Sequence, residues 1–308
     1  MDIVLFIEQV LNGLQLGVLL FLLAAGLTLV FGIMNFINLA HGSIYMIGAF
    51  FAAYLTRLTE SFALGILLAL PAVVFFALVL ERLVLRKFYE RDHLDQVLAT
   101  FGLILFFNEG IRLIWGSGGI AIELPTYLDG FIVLGSDLVI STYRLVIVCV
   151  GLVVAISLYG LVTYTRLGML IRAGASNRRM VGLLGVNVDV LFAVVFSIGA
   201  MLAGLAGMLI APIGQAQVGM GEQVLILCFV VIVIGGIGSI RGAFIAAILI
   251  GFIDTMGRAY FDVLLLKILT VNAAETAGPA LSSMGVYLLM AGILVFRPRG
   301  LFPAQGVK

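Results

Sequence analysis

Asn35, Asn38, His41 and Tyr45 stand at intervals of three, three and four within GIMNFINLAHGSIYMIGAFF, Gly32 to Phe51. On a helix that spacing makes a single stripe. Amide, imidazole and phenol groups, with the Ser43 hydroxyl beside them, donate and accept hydrogen bonds. They suit the lining of a path for a polar solute. They do not make an evident centre for covalent chemistry, since the chain holds only one other histidine, His93, in the polar loop RKFYERDHLDQ.

The surroundings give the stripe its meaning. Of 308 residues, 63% are hydrophobic and 11% charged, and the mean hydropathy is +1.26. Ordinary soluble domains are about half apolar and about a quarter charged. The chain is therefore an integral membrane protein, and its helix-length apolar runs exclude a β-barrel. Polar groups at membrane depth are costly unless they face protein or a water-filled cavity. Gly32 and Gly42 would let the helix bend or break beside the stripe. A second reading makes the same run the cytoplasmic turn between two spans, wetted by headgroups. The sequence leaves both open.

Apolar segments lie at about 9–31, 37–56, 62–80, 96–115, 144–164, 189–212, 223–240 and 243–261, with a ninth at about 283–296. The expected fold is an all-α polytopic membrane protein of about eight or nine transmembrane helices in one domain, 1–308. Basic residues gather in a few connections: Arg82, Arg86, Lys87 and Arg91; Arg166, Arg172, Arg178 and Arg179; Arg241; and Arg297, Arg299 and Lys308. Cytoplasmic loops carry excess Lys and Arg, which puts the C-terminus in the cytoplasm and the acidic N-terminus, with Asp2 and Glu8, outside. The longest outer connection is 116–143, where GFIVLGSDLVIST alternates like a small hairpin.

Several chemistries have no support. No G-x-x-x-x-G-K-[ST] loop is present, so nucleotide hydrolysis is not expected of this chain. Cys149 and Cys228 lie inside apolar runs and suggest neither a disulfide framework nor a metal site. Asp254 and Arg258, at i and i+4, and Asn108, Glu109 and Arg112 read as structural polar clusters at the outer ends of spans. No charge falls near the middle of a span, which argues against an ion-coupled carrier. Gly199, Ala203 and Gly207, with Ala200 and Gly204, form small-residue ridges suited to close helix packing.

The connection Thr165 to Val190 is too long for a turn and too polar to span. Its apolar residues are spaced for short amphipathic helices, punctuated by Gly174 and Gly185. Such a helix is a docking surface for a soluble partner, or else lies on the bilayer with its arginines at anionic headgroups.

Four separated motifs give a resemblance that runs over nearly the whole chain: GLTLVFGIMNFINLAHGSIYMIGAF, TRLGMLIRAGASNRRMVGLLGVNV, VIGGIGSIRGAFIAAILIG and LVFRPRGLF. Together they resemble the LivH-type permease subunits of branched-chain amino acid ABC importers. The resemblance implies a bacterial inner-membrane importer with a LivM-like second permease subunit, two ATPase subunits and a periplasmic binding protein. The surrounding membrane lipids complete the setting, with no nucleic acid. ATP would be bound by the ATPases and no cofactor by this chain. Asn38, Ala40, His41 and Gly42 match the family's N-x-A-H-G region, which gives Asn35, Asn38, His41, Ser43 and Tyr45 as candidates along the substrate path. The loop about 165–189 matches the cytoplasmic coupling helix between the fifth and sixth spans, with Arg172, Ala173, Asn177, Met180, Gly182, Leu183 and Gly185 as candidate contacts to the ATPase. Members of the same family carry urea, short amides or aromatic and dicarboxylic acids. The competing class is an ATP-independent secondary transporter.

Overall fold

The computed structural model describes residues 3–134, 138–267 and 270–302. The chain is helical almost throughout: α1 Ile3–Met34, α2 His41–Thr59, α3 Phe62–Leu83, α4 His93–Trp115, α5 Thr142–Tyr164, α6 Arg166–Leu183, α7 Val188–Gly214, α8 Met220–Gly235, α9 Ile240–Leu265 and α10 Val271–Phe296. Seven of these are long and apolar enough to cross a membrane; α2, α6 and α8 are not among them. Among the described residues one hairpin pairs Phe131–Leu134 with Leu138–Ser141 in antiparallel register, as the alternating pattern predicts. Its turn, with Asp137, lies outside the described residues, as do Asp2 and Lys308.

α1 is the central post. Its residues from Val18 to Val30 are buried on every side, as an all-round apolar helix must be. It lies antiparallel to α9, with Gly13 against Phe252, Gly17 against Ile248 and Gly32 against Gly238. It also packs on α7, α5 and α8. The small-residue ridge of α7 does what close packing requires. A Cβ at Gly26 would stand 2.5 Å from the Gly199 carbonyl oxygen, and one at Gly48 would stand 2.5 Å from Gly204.

The basic residues converge on one end of the bundle. Arg86 bridges to Asp189 at 3.5 Å, and Arg241 lies 5.8 Å over the Tyr159 ring. The backbone at Arg299 and Phe302 closes on Gly236. At the opposite end Phe62 meets Tyr143 at 5.9 Å between rings, and the Tyr143 hydroxyl donates to the Leu209 carbonyl at 2.7 Å.

Two helices begin inside this frame. α8 has 16 residues, about 24 Å, against about 30 Å of hydrocarbon. Its first turn packs on the first turn of α2, where a Cβ at Gly42 would stand 2.5 Å from the Gly221 carbonyl oxygen. Only glycine allows two backbones to approach so closely. Gly42→Val should therefore cost about 1–3 kcal/mol or more through overpacking and lower the Tm of the purified protein. Gly102→Ala in α4, where an added Cβ meets nothing, should not lower the Tm.

Candidate functional site

The polar run does not form one helical stripe. α1 ends at Met34, Asn35 takes a left-handed φ of 51°, and residues 35–40 are irregular before α2 starts at His41. Asn35 and Asn38 thus stand on a connection, and only His41, Ser43 and Tyr45 are on α2. The physical reason is that the connection finds hydrogen bonds a helix would not need. The Ile37 N–H donates to Gln96 Oε1 at 3.1 Å and the Leu39 N–H to Thr100 Oγ1 at 3.2 Å. Both acceptors are buried on α4, one turn apart. Gln96 is itself anchored, since its Nε2 donates to the Phe88 and Arg91 carbonyls.

These bonds fix a depth. Thr100 lies seven residues into α4, about 10 Å along the axis. His41 Nε2 stands 3.2 Å from the Leu23 carbonyl oxygen. Leu23 is about 16 Å, at about 1.5 Å per residue, from the end of α1. The connection therefore turns back into the bundle from the basic end, and α2 starts within it. Asn38 and His41 are fully buried, and both polar atoms of the Asn38 amide, like His41 Nδ1, have no hydrogen-bond partner among the described residues. Ser43 and Tyr45 are buried as well, while Asn35 is exposed at the basic end.

From the opposite end, residues 215–219 re-enter to start α8, and the Gly219 N–H meets Met46 Sδ at 3.3 Å. Glu222 sits in the first turn of α8 and accepts from Asn108 Nδ2 of α4 at 2.6 Å. In the sequence Glu222 immediately precedes the apolar segment at about 223–240, and Asn108 belongs to a local cluster with Glu109 and Arg112. In the fold, α8 starts against the first turn of α2, and Glu222 is half-buried beside Asn108.

At the basic end, the buried Glu81 of α3 holds the turn that leads to α4. Arg86 donates to it through Nε at 3.2 Å and Nη2 at 3.4 Å, and the Tyr89 hydroxyl at 3.0 Å. Burial, and then the Glu81 carboxylate, push the Tyr89 phenol well above its ordinary range and keep it a donor. The Tyr89 ring lies edge-on to both Phe36 of the re-entrant connection and Phe192 of α7, each at 5.5 Å. α6 is a bent amphipathic helix beneath these parts. Non-helical φ/ψ at Asn177 breaks it, and Asn177 Oδ1 accepts from the Met180 N–H at 3.0 Å to start its second segment. Gly174 faces Ile33 at the foot of α1. Arg172 donates to the Val162 carbonyl; Ala173 is half-buried, and Met180, Gly182, Leu183, Leu184 and Gly185 are exposed. A cleft of about 520 Å³ brings together Asn35, His93, Gln96, Gly174, Asn177 and Arg178.

Residues 9–294 match the family described as branched-chain amino acid transport system, permease component. The chain belongs to that family. It is 31% identical to the high-affinity branched-chain amino acid transport system permease protein BraD of Pseudomonas aeruginosa, over 98% of this chain and 97% of the relative. It is 32% identical to the permease protein LivH of Escherichia coli K12, over 83% and 87%. A probable LivH of Methanocaldococcus jannaschii is 28% identical over 79% and 78%. No solved structure matches significantly.

The permease thus unites its two groups of sequence candidates at one cleft, through Asn35 and Asn177, and buries the rest of the polar run above it. Gln96, Thr100, Tyr89 and Glu81 escaped the sequence reading. The available signal was a Gln and a Thr at i and i+4 at the start of the apolar run 96–107. Thr100→Val should leave the part-buried Leu39 N–H unpaired and cost about 1–3 kcal/mol, read as a fall in Tm. Thr100→Ser keeps the acceptor and should restore most of it.

Proposed function

We propose that this permease forms half of the translocation path of an ATP-driven importer for branched-chain amino acids. Its partners would be a LivM-like second permease subunit, two ATPase subunits and a periplasmic binding protein. The chain itself would carry no catalytic centre and bind no cofactor, with ATP on the ATPases. The basic end would face the cytoplasm by the positive-inside rule, with the N-terminus outside, in a bacterial inner membrane. The observation that carries the reading is full-length likeness to BraD, joined to an α6 that is built to be held from outside the bundle. Its second segment exposes Met180, Leu183 and Leu184 at 52%, 78% and 77%. Such an apolar tip among arginines suits a groove on a soluble protein.

The route from α6 to the path is short. α6 touches the foot of α1, and the Arg86–Asp189 bridge and the Tyr89 stack tie the α6–α7 junction to the re-entrant connection. Closure of the ATPases on ATP would move α6, and these ties would pass the displacement to residues 35–40, where Gln96 and Thr100 hold the start of α2. Rigid-body rocking of one subunit against the other would then change the side to which the path opens. Asn38, His41, Ser43 and Tyr45, buried in this conformation, would meet the path as it opens.

The reading separates from that of an ATP-independent carrier in liposomes. Leucine uptake should require all partner subunits and ATP; uptake by this chain alone under an ion gradient would overturn it. Gly185, at φ +86° with open space around it, tests the coupling segment. Gly185→Leu strains the backbone by about 1–2 kcal/mol. It should cut uptake per ATP hydrolysed by roughly tenfold while the complex still assembles; unchanged coupling would return the segment to a surface role.

A further inference from the structure

The exposed faces of the spanning helices are not alike. α3 shows the surroundings Leu64, Leu67, Leu68 and Phe75, and α5 shows Val153 and Ile156. Those surfaces are what hydrocarbon accepts. α4 and α8 present something else. Glu109 and Arg112 form an ion pair of 2.7 Å with both side chains more than half exposed. Glu222, half-buried, takes its bond from Asn108, and Gln223 beside it is exposed.

These groups lie below the outer end of α4. Trp115 ends α4 among Phe50, Phe51 and Tyr54, with ring separations of 5.5, 6.4 and 6.2 Å. Asn108 lies seven residues before it, about 10 Å deeper. Glu222 shares that depth, because α8 begins against Gly42 and Met46. Another exposed charge on a span, Arg258, pairs with Asp254 at 2.9 Å. It lies beyond the level where Phe252 meets Gly13, close to the mouth marked by the Arg144–Asn12 contact. Charged and amide groups facing lipid at the depth of Glu222 carry a heavy penalty, and membrane proteins turn such groups toward protein or enclosed water.

We infer that the α4–α8 face, centred on Glu222, Asn108 and Gln223, is the surface that abuts the second permease subunit and with it encloses the path. The inference rests on the importer reading above. The occupant has a stated chemistry. Two carboxylates and one guanidinium leave the patch net negative, so the facing surface supplies a cation or hydrogen-bond donors opposite Glu222 and Glu109. The apolar surroundings of the patch, Leu105, Phe106 and Ile226, seal it against lipid. α4 itself is held by Gln96 and Thr100 to the re-entrant connection, by Phe107 to Phe76 of α3, by Asn108 to α8 and by Trp115 to α2.

The test is photo-crosslinking in the assembled transporter in native membranes. A benzophenone amino acid replaces Glu109 or Gln223 in one set of variants and Phe75 or Ile156 in another. Adducts from positions 109 and 223 should contain peptides of the second permease subunit, and those from 75 and 156 should contain lipid. Lipid adducts from 109 and 223, or permease peptides from 75 and 156 instead, would overturn the assignment of this face. Co-purification of the unmodified chain separates the two claims. If no second permease subunit accompanies it, the importer reading fails and this inference with it. If the subunit is present but cross-links elsewhere, the face alone is wrong.

Discussion

Backbone N–H groups have no water to bond within the hydrocarbon region, and this constraint organises the centre of the permease. Two helices start inside the bundle, and each start exposes donors that the protein must satisfy. At α2 the approach is held by side chains of a different helix, Gln96 and Thr100, reaching the N–H groups of Ile37 and Leu39. At α8 the first turn lies against the first turn of α2, and Glu222 places an anion at its positive end. Glycine at 42 and 221 is what allows the two starts to meet. Polar residues in this apolar chain are concentrated where its helices are broken.

The same constraint links the two ends of the molecule. The re-entrant connection is not free to move alone, since its N–H groups are committed to α4 and its Phe36 ring to Tyr89. Tyr89 in turn is fixed by Glu81 and packs on α7 immediately after α6. A displacement at the exposed end of α6 therefore has a continuous set of packed and hydrogen-bonded groups through which to reach the middle of the bundle. The small-residue contacts of α1 with α7 and α9 leave the central post little room to deform, so motion falls to the peripheral helices.

Much of this was legible in the sequence. Composition and apolar run length required a helical membrane protein, and basic clusters marked one end. The hairpin pattern after α4, the ridge on α7 and the amphipathic Thr165 to Val190 segment all correspond to elements with those properties. The stripe at Asn35, Asn38, His41 and Tyr45 failed because helical periodicity assumes a continuous helix, whereas the break at 35–40 is stabilised by residues about sixty positions away. The setting of Glu222 beside Asn108 was not legible for the same reason. A hydropathy window sees where an apolar run begins and not how deep in the membrane that beginning lies.

The depth of the two helix starts is therefore the measurement that tests the account most directly. Nitroxide labels at Leu39 and Met220, in the assembled transporter in nanodiscs, report depth through their relative accessibility to oxygen and to a water-soluble nickel chelate. Both labels should read well inside the hydrocarbon region, about 10 Å or more from the phosphates, with a label at Leu183 fully in water. Accessibility at Leu39 or Met220 equal to that of a headgroup-level control would contradict it, and would return the polar run to an interfacial turn.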